Sequence, residues 1–341
     1  MPTISDLPTE CLLHILELID DSRSSRSYQY RSVEDILCKM SHSQAMATLA
    51  SASLVCHAWQ NLAQSIMWSR LLVGHRTYTY FIVSPAFRRY GTVELVLCTD
   101  DGLISGEVQE IIDLFEGLRI LRVTCVRESC AMQGTCLEFS SLRDLVELDL
   151  NTPLHHPTTG VLRTSFQLST LTVGRYVTSL PVIKAIFGSS SHTLTSLTIR
   201  VSPSIQNSIA GCISILSETL ETLRILFYED CPEDLPDHIA SFKKLTHVNL
   251  LANHRNVPSF DKLVFSLPSV VTTKEIRVLL PSGHVSFQTL EERVTRKNWW
   301  KSIVLTRSGL EQSGKTGAAR LIALCAAKNV ALLFKFQTST Y

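Results

Sequence analysis

Apolar residues recur at helical spacing near the N-terminus. Within residues 7–19, Leu12, Ile15 and Leu16 lie three and four positions apart, which predicts one apolar face of an amphipathic helix. Pro8 lies in the first turn of the predicted helix, where backbone N–H groups have no acceptor within the helix, so a proline there costs no hydrogen bond. The flanking residues are polar, so the pattern predicts a helix with a single buried side.

A second apolar stretch runs from Leu49 to Val73 and predicts further helix. It contains two tryptophans and many aliphatic residues, more apolar surface than three small helices can bury among themselves. We expect the surplus to meet either the next domain or a partner. The residues concerned are Leu54, Val55, Trp59, Leu62, Ile66, Trp68 and Leu71.

The two apolar stretches are separated by a segment of about residues 20–43. Residues 21–32 are rich in Ser and Arg and have no period, which predicts a mobile loop. Residues 33–40 have the composition of a further short helix.

The rest of the chain repeats a loose L-x-x-L-x-L pattern. The first positions of six units step by 27, 23, 26, 26 and 25 residues, within the window of roughly 20 to 29 residues for leucine-rich repeats. Further strands are predicted near Leu95, Ile276 and Ile303, with a closing strand in 330–336. The six units begin at Leu118, Leu145, Leu168, Leu194, Leu220 and Leu245.

Helical patterns lie between several of these strands, at 108–115, 182–187, 209–216 and 321–325. Short strands alternating with helices at a steady period predict a parallel-stranded solenoid, because one unit cannot bury its own apolar face. A doubly wound α/β domain is the structural alternative, although it does not explain the period.

Residues between the repeat leucines point to the opposite face of each strand. If the leucines face inward, polar residues of both signs line the concave face, which suits recognition of a protein or peptide better than of a nucleic acid. An unused solvated sheet is the alternative. The candidate substrate-binding residues are Arg122, Glu147, Asp149, Asn151, Thr172, Thr198, Arg200, Arg224, His247 and Asn249.

Composition narrows the class of protein. The chain has 341 residues, 45% of them hydrophobic, and 32 Lys plus Arg against 31 Asp plus Glu. This balance argues against nucleic-acid binding driven by bulk charge, and no apolar run reaches the roughly 18 residues of a membrane span. Since no export signal is recognisable, we expect reduced cysteines and a cytoplasmic or nuclear location, not secretion.

One segment near the C-terminus matches a nucleotide-binding motif. Residues 309–316, GLEQSGKT, fit the phosphate-binding G-x-x-x-x-G-K-[ST] pattern, with Lys315 and Thr316 as the phosphate and magnesium residues. A strand-like segment (302–306) precedes it and a helical one (318–327) follows. However, residues 330–341 contain no Asp or Glu to hold the metal, so an accidental match is the stronger reading. Cys125, Cys130 and Cys136 lack zinc-site spacing.

Two parts of the chain resemble known families. Leu7-Pro8, the aliphatic run ending at Leu16, Val55-Cys56-x-x-Trp59, and Trp68 before Leu71 together resemble an F-box, with an unusually long stretch between its halves. The remainder resembles a degenerate leucine-rich-repeat domain, in which the family's Asn is matched only at Asn253.

These resemblances imply a small all-α N-terminal module (1–75) followed by an α/β leucine-rich-repeat solenoid (76–341) of about nine degenerate repeats, with a parallel sheet on its concave face. They imply a non-catalytic, cofactor-free adaptor of an SCF-type cullin–RING ubiquitin ligase, which docks on a Skp-type adaptor and holds a substrate protein. Docking would use Leu7, Pro8, Leu12, Ile15, Leu16, Leu54, Val55, Cys56, Trp59, Leu62, Trp68 and Leu71.

Two other functions stay open from the sequence. One is a repeat scaffold for protein–protein interaction without ligase assembly, in which the first helices only cap the solenoid. The other, more remote, is a nucleotide-binding protein that uses Gly309–Thr316.

Overall fold

The computed structural model of the chain describes only part of its 341 residues. Leu7, most of the predicted inserted loop and the predicted helix at 33–40 lie outside that part. The described residues are 8–21, 44–74, 89–98, 105–115, 117–124, 138–152, 164–174, 176–177, 179–201, 205–227, 234–252, 276–279, 291, 295, 302–306, 315–329 and 331–335.

The chain divides into two compact units, Met1–Cys130 and Ala131–Ser339. The predicted boundary at 75/76 was drawn where the repeat pattern begins, and it stays a prediction. The first unit therefore contains the three N-terminal helices together with the first three strands.

The described residues at the start of the first unit form three helices: α1 (Thr9–Asp21), α2 (residues 44–52) and α3 (His57–Ser69). Leu12 and Leu16, four positions apart, are buried as the spacing predicts. Ile15 is 39% exposed, so the buried stripe of α1 is narrower than predicted.

The second apolar stretch is not helical to its end. Arg70 adopts an extended conformation (φ −130°, ψ 114°), and α3 stops there. Residues Arg70–Gly74 form strand β1, which pairs in parallel with β2 (Glu94–Cys98) and places Leu71 opposite Leu95. The helical prediction for Leu71 is therefore wrong, because a ladder with β2 overrides the local helical period.

After β2, the described residues of the first unit include a further helix and a further strand. Helix α4 (Ser105–Asp113) precedes β3 (Ile120–Thr124), and β3 pairs in parallel with β2. Both segments were predicted from the sequence.

The second unit contains an open, all-parallel sheet of eight strands. Each strand pairs with the next one along the chain wherever the register is described. This confirms the predicted α/β class and the parallel sheet. The strands are β4 (Glu147–Asn151), β5 (Thr170–Val173), β6 (Ser196–Val201), β7 (Thr222–Phe227), β8 (His247–Ala252), β9 (Ile276–Leu279), β10 (Ser302–Thr306) and β11 (Ala331–Lys335).

Helices connect several of these strands. The three predicted ones are α5 (Leu180–Ser189), α6 (Gln206–Ile213) and α8 (Lys315–Ala327). Between α6 and α8 lies α7 (Leu235–Ala240), which the sequence did not predict because its six residues are too few to show a period.

Side chains on the strands alternate between buried and partly exposed. Leu148 and Leu150 of β4, like Leu171 and Val173 of β5, are at most 1% exposed, while the residues between them are partly exposed. The repeat leucines therefore face the core, as predicted, and the polar residues lie on the opposite face.

The starts of five strands, β3 and β5 to β8, carry a repeated hydrogen-bond arrangement that we call the carbonyl ladder. One backbone carbonyl accepts two consecutive N–H groups from the next strand's entry, at distances of 2.8 to 3.2 Å. Ser169, Thr195 and Thr246 add a side-chain hydroxyl to the same carbonyls. The accepting carbonyls are those of Val93, Val146, Ser169, Thr195 and Glu221.

Candidate functional site

The three N-terminal helices (α1, α2 and α3), which we call the helical segment, share a small core. Leu16 of α1, Leu49 and Ala52 of α2, and Ala63 and Ile66 of α3 are all buried in it. Trp59, Leu62 and three other apolar residues pack against this core while remaining partly exposed. The shared core therefore fixes the three helices against one another, and with them the residues on their outer surface.

Leu54 and Val55, which we call the apolar corner, lie in the turn between α2 and α3. Their amides donate to the carbonyls of Ser51 and Ala52 at 3.1 Å, which closes the turn. Leu54 is 86% exposed and Val55 is 56% exposed. Because the backbone is held by hydrogen bonds, two large aliphatic side chains are presented to solvent in a defined geometry.

Helix α1 exposes further apolar surface. Leu18 is 58% exposed and Ile15 is 39% exposed, and their spacing of three places both on one side of the helix. Sequence analysis counted Ile15 among the buried residues and did not single out Leu18. The exposure of Leu18 could have been predicted from the sequence, since Leu18 lies outside the apolar stripe formed by Leu12 and Leu16.

The predicted docking residues occupy three different environments. Leu12, Leu16 and Leu71 are at most 2% exposed, so they support the surface from within. Pro8, Ile15, Leu54 and Val55 are exposed, and Leu7 lies outside the described residues. Those with intermediate exposure are Cys56, Trp59, Leu62 and Trp68.

Trp59 is partly exposed, but its polar atom lies beneath the surface. Its indole Nε1 is buried and has no hydrogen-bond acceptor in the part of the chain that the structure describes. A buried N–H donor without an acceptor costs about 1–3 kcal/mol.

The C-terminal end of α3 is fixed to the residues that lead into β2. The hydroxyl of Thr92 donates to the carbonyl of Trp68 at 3.0 Å, and the hydroxyl of Tyr90 donates to Oε1 of Gln64 at 2.9 Å. These bonds tie the helical segment to the strands of its own unit.

A charged cluster occupies the strands of the first unit. The side chain of Glu94 is 8% exposed and lies between two arginines: Oε1 is 3.2 Å from Nε of Arg122, and Oε2 is 3.5 Å from Nε of Arg70. Arg122, predicted to bind substrate, is thus already paired with a buried carboxylate. A strand near Leu95 was predicted in register with β3, but Glu94 was not singled out, and Arg70 was expected to lie in a helix.

The outer face of β2 also departs from the expected alternation. Every residue of this strand is buried, including Val96 and Cys98 on the same side as Glu94. The first unit therefore does not present a continuous polar face on this strand.

In the second unit the predicted concave-face residues form a regular array, which we call the polar face. All of its members described here are partly or fully exposed. It consists of the predicted residues Glu147, Asp149, Asn151, Thr172, Thr198, Arg200, Arg224 and His247, together with Thr170, Ser196 and Thr222, which lie on the same face of strands β5, β6 and β7.

The strand registers arrange the polar face in rows. One row runs Glu147, Thr170, Ser196, Thr222, His247, and the next runs Asp149, Thr172, Thr198, Arg224. The backbone of Asn249 continues the second row opposite Arg224, while its side chain lies outside the described part. The structure thus brings the predicted substrate-binding residues of this unit together.

Asn151 departs from the rest of the polar face. Its Oδ1 is buried and has no hydrogen-bond partner among the described residues, and the same holds for Oγ1 of Thr152. The side chain is held against Gly174, whose amide donates to the carbonyl of Leu150 at 2.6 Å. Asn151 is therefore packed against the next strand's end.

The elements around the phosphate-loop motif match their predicted types. Strand β10 precedes it, and α8 begins at Lys315, whereas residues 307–314 and the side chains of Lys315 and Thr316 lie outside the described part. A strand followed by a helix is expected both around a phosphate-binding loop and in a leucine-rich repeat, so these two elements do not distinguish the two predictions.

The described residues contain no group of three or more His, Cys, Asp and Glu side chains placed to hold a metal ion. No helix among them has the length and apolar character needed to cross a membrane. Burial raises the pKa of the Cys212 and Cys325 thiols, which disfavours the reactive thiolate.

Comparison with known proteins adds no assignment: no protein-family model matches the chain, and no curated protein matches it.

Proposed function

We propose that this chain is a substrate-recognition adaptor of an SCF-type cullin–RING ubiquitin ligase. The helical segment docks on a Skp-type adaptor as an F-box does, and a leucine-rich-repeat solenoid holds a substrate protein. The chain itself carries out no bond chemistry. It raises the effective concentration of the substrate near the ubiquitin-loading enzyme, as a bivalent linker does.

The observation that carries the docking proposal is the exposed apolar corner. Leu54 and Val55 are 86% and 56% exposed at a turn closed by hydrogen bonds. Burying a large aliphatic side chain in an interface contributes about 1.5–3 kcal/mol. Exposed apolar patches mark candidate interaction sites, and Ile15 and Leu18 of α1 add further apolar area.

The solenoid proposal is supported by the strand registers. In the second unit every described pairing joins neighbours in sequence, in parallel, at steps of 23 to 29 residues. The carbonyl ladder repeats at the same interval. Both features are expected when similar units stack on one another.

Co-purification with a Skp-type adaptor tests the docking step. The double variant Leu54→Asp/Val55→Asp places two charges at exposed positions, so the fold of the chain should be retained. We expect its affinity for the adaptor to fall by at least about 100-fold, since each lost aliphatic contact corresponds to about tenfold or more.

The matched control is Ile215→Asp. Ile215 is 47% exposed in the second unit, so the same kind of substitution is made away from the helical segment, and adaptor binding should be unchanged. The docking proposal is wrong if the wild-type chain does not bind the adaptor. It is also wrong if the double variant binds as tightly as the control.

A repeat scaffold without ligase assembly is the second candidate. It is favoured by the near-complete burial of Leu12 and Leu16, which suits a helical cap. The apolar corner weighs against it, because a cap that only closes a core has no need to expose Leu54 and Val55. Normal substrate capture by the chain without any adaptor binding would favour this candidate.

Nucleotide binding through Gly309–Thr316 remains the third and weakest candidate. The flanking β10 and α8 are the observation in its favour. Titration with ATP and magnesium tests it: binding that disappears in Lys315→Ala would support a nucleotide site, and we expect none.

A further inference from the structure

We infer that the outer face of α1 binds a helix of a partner protein, one that is apolar along one side and carries Lys or Arg beside its apolar residues. The inference goes beyond the proposed function, which the apolar corner carries. It holds whether or not the protein that covers α1 is also the one that takes the apolar corner.

Helix α1 has more apolar surface than its own unit covers. Leu16 lies in the core shared with α2 and α3. Cys11, Ile15 and Leu18, which we call the outer stripe, are exposed, and their spacing of four and three residues places them in one line along the helix. Pro8, three residues before Cys11, is exposed as well. The helix therefore carries an uncovered apolar line next to the side that it buries.

A row of polar side chains runs beside the outer stripe. Glu10 and Glu17 are two helical turns apart, about 10.5 Å along the axis, and His14 lies between them. All three are exposed. Their side chains make no ion pair and no hydrogen bond within the part of the chain that the structure describes. Both carboxylates are therefore open to a partner.

The helical segment is acidic as a whole. Residues 8–21 contain four Asp and Glu residues, and neither they nor residues 44–69 contain Lys or Arg, in a chain whose formal net charge is +1. An anionic membrane surface or a nucleic acid is disfavoured, because both are bound through Lys and Arg. A second copy of α1 on the outer stripe would bring like charges together, which costs free energy. The charges therefore favour a protein that presents Lys or Arg.

The shape of α1 favours a helix as the partner element. The outer stripe is a straight line of side chains about 10.5 Å long, which fits the groove between side-chain rows of a second helix. A helix also satisfies its own backbone hydrogen bonds, whereas a loop or a single strand laid on an apolar stripe leaves N–H and C=O groups without partners. Lys and Arg side chains on the flank of that helix are long enough to reach Glu10 and Glu17.

Helical peptides bound to the full-length chain test the inference. Two peptides of about 20 residues, beyond the length at which isolated helices are marginal, share a stripe of Leu and Ala. One carries Lys beside the stripe and the other carries Glu. We expect the Lys peptide to bind at least about tenfold more tightly in fluorescence anisotropy, because only this peptide pairs with the carboxylates of α1. High salt should reduce the difference.

Charge reversal on α1 should reverse the preference. In Glu10→Lys/Glu17→Lys both positions are exposed, so the fold should be retained, and the Glu peptide should become the tighter ligand. The matched control is Asp144→Lys/Asp237→Lys, which makes the same change in net charge at exposed positions of the second unit. This control should keep the wild-type preference.

Shortening the outer stripe tests the apolar part of the contact. Ile15→Ala/Leu18→Ala introduces good helix formers and should weaken the binding of both peptides by about tenfold or more. The control is Ile215→Ala/Ile322→Ala, at similarly exposed positions of the second unit, and it should leave the binding of both peptides unchanged.

The outcomes separate this inference from the proposed function. If neither peptide binds, if the two bind equally, or if both charge-reversal variants keep the same preference, the inference is wrong and adaptor docking is untouched. If the adaptor does not bind the wild-type chain but the Lys peptide does, the docking proposal is wrong and the inference stands. A wild-type dimer that dissociates in Ile15→Ala/Leu18→Ala would show that a second copy covers the outer stripe, and would overturn the inference.

Discussion

Gly174 shows how a single residue sets the contact between two neighbouring strands. A Cβ at this position would overlap Oδ1 of Asn151 and would lie 2.7 Å from the Cα of Asn151. Because part of that contact is backbone, it cannot be relieved by a side-chain rotation. Glycine is needed here for close approach.

We expect Gly174→Ala to lower the free energy of unfolding by about 1–3 kcal/mol, the usual cost of overpacking. Gly188→Ala is the control, since Gly188 lies in α5 with nothing near its missing Cβ. That change should stabilise the chain by about 0.5–1 kcal/mol. Urea unfolding of both variants measures the difference, and equal effects would contradict the close-approach argument.

Glu94 is a second position where one residue matters, because its carboxylate is buried between Arg70 and Arg122. Glu94→Gln removes the charge and leaves both arginines without it, which we expect to cost about 1–2 kcal/mol because the arginines can still reach water. The exposed pair of Glu218 and Lys243 gives the control, as Glu218→Gln should change stability by less than about 0.5 kcal/mol. Thermal unfolding of both variants checks this, and similar shifts would contradict it.

At the scale of elements, the polar contacts between successive strands could not be predicted from the sequence. The strands were predictable because their leucines recur with a steady period, and burial of that face enforces the pattern. The carbonyl ladder was not, because its acceptors are backbone atoms and its hydroxyls come from Ser and Thr, which are common everywhere. The short helix α7 and the change from helix to strand at Arg70 also depend on tertiary partners.

Ser190 joins two such elements. Its hydroxyl, at the end of α5, is buried and accepts the amide of Leu168 at 3.0 Å. Ser190→Ala leaves that amide without its acceptor, so we expect a loss of about 1–3 kcal/mol. Ser191→Ala is the neighbouring control, because its hydroxyl only contacts the carbonyl of Gly188 at the surface.

Chemical denaturation distinguishes the two serines. The control should change the free energy of unfolding by less than about 0.5 kcal/mol. Equal losses in both variants would show that Ser190 acts through local helix propensity and not through the contact between repeats.

At the scale of the whole molecule, the candidate sites were predicted unevenly. The polar face followed from strand alternation, and its members in the second unit were placed correctly on one surface. The docking residues were predicted as one group, because helical spacing alone does not tell which side of a helix other elements cover. Ile15 was expected on the buried face of its helix but is exposed. Leu71 was expected in a helix but is buried in a strand.

The position of Leu71 has a consequence for fragments of the chain. A fragment that begins at residue 76 lacks β1, so the backbone of β2 loses its parallel partner along Arg70–Gly74 and Leu95 loses apolar contacts. We expect fragment 76–341 to fold poorly, because the cut removes β1 and the helical segment from the first compact unit and leaves the rest of that unit incomplete. A fragment that begins at residue 131 keeps the whole second compact unit.

Size-exclusion chromatography and circular dichroism compare the two fragments. We expect the fragment 131–341 to elute as a single species and to unfold cooperatively. The division into units would be wrong if 76–341 behaved as well as the full chain while 131–341 failed to fold.

The sequential pairing of strands also governs how the chain can fold while it is being made. Each strand of the second unit finds its partner 23 to 29 residues further along. At about 5–20 residues per second of synthesis, that wait is roughly one to six seconds. Hydrophobic strand surface is therefore exposed only briefly on the ribosome, and the sheet can grow one strand at a time behind the emerging chain.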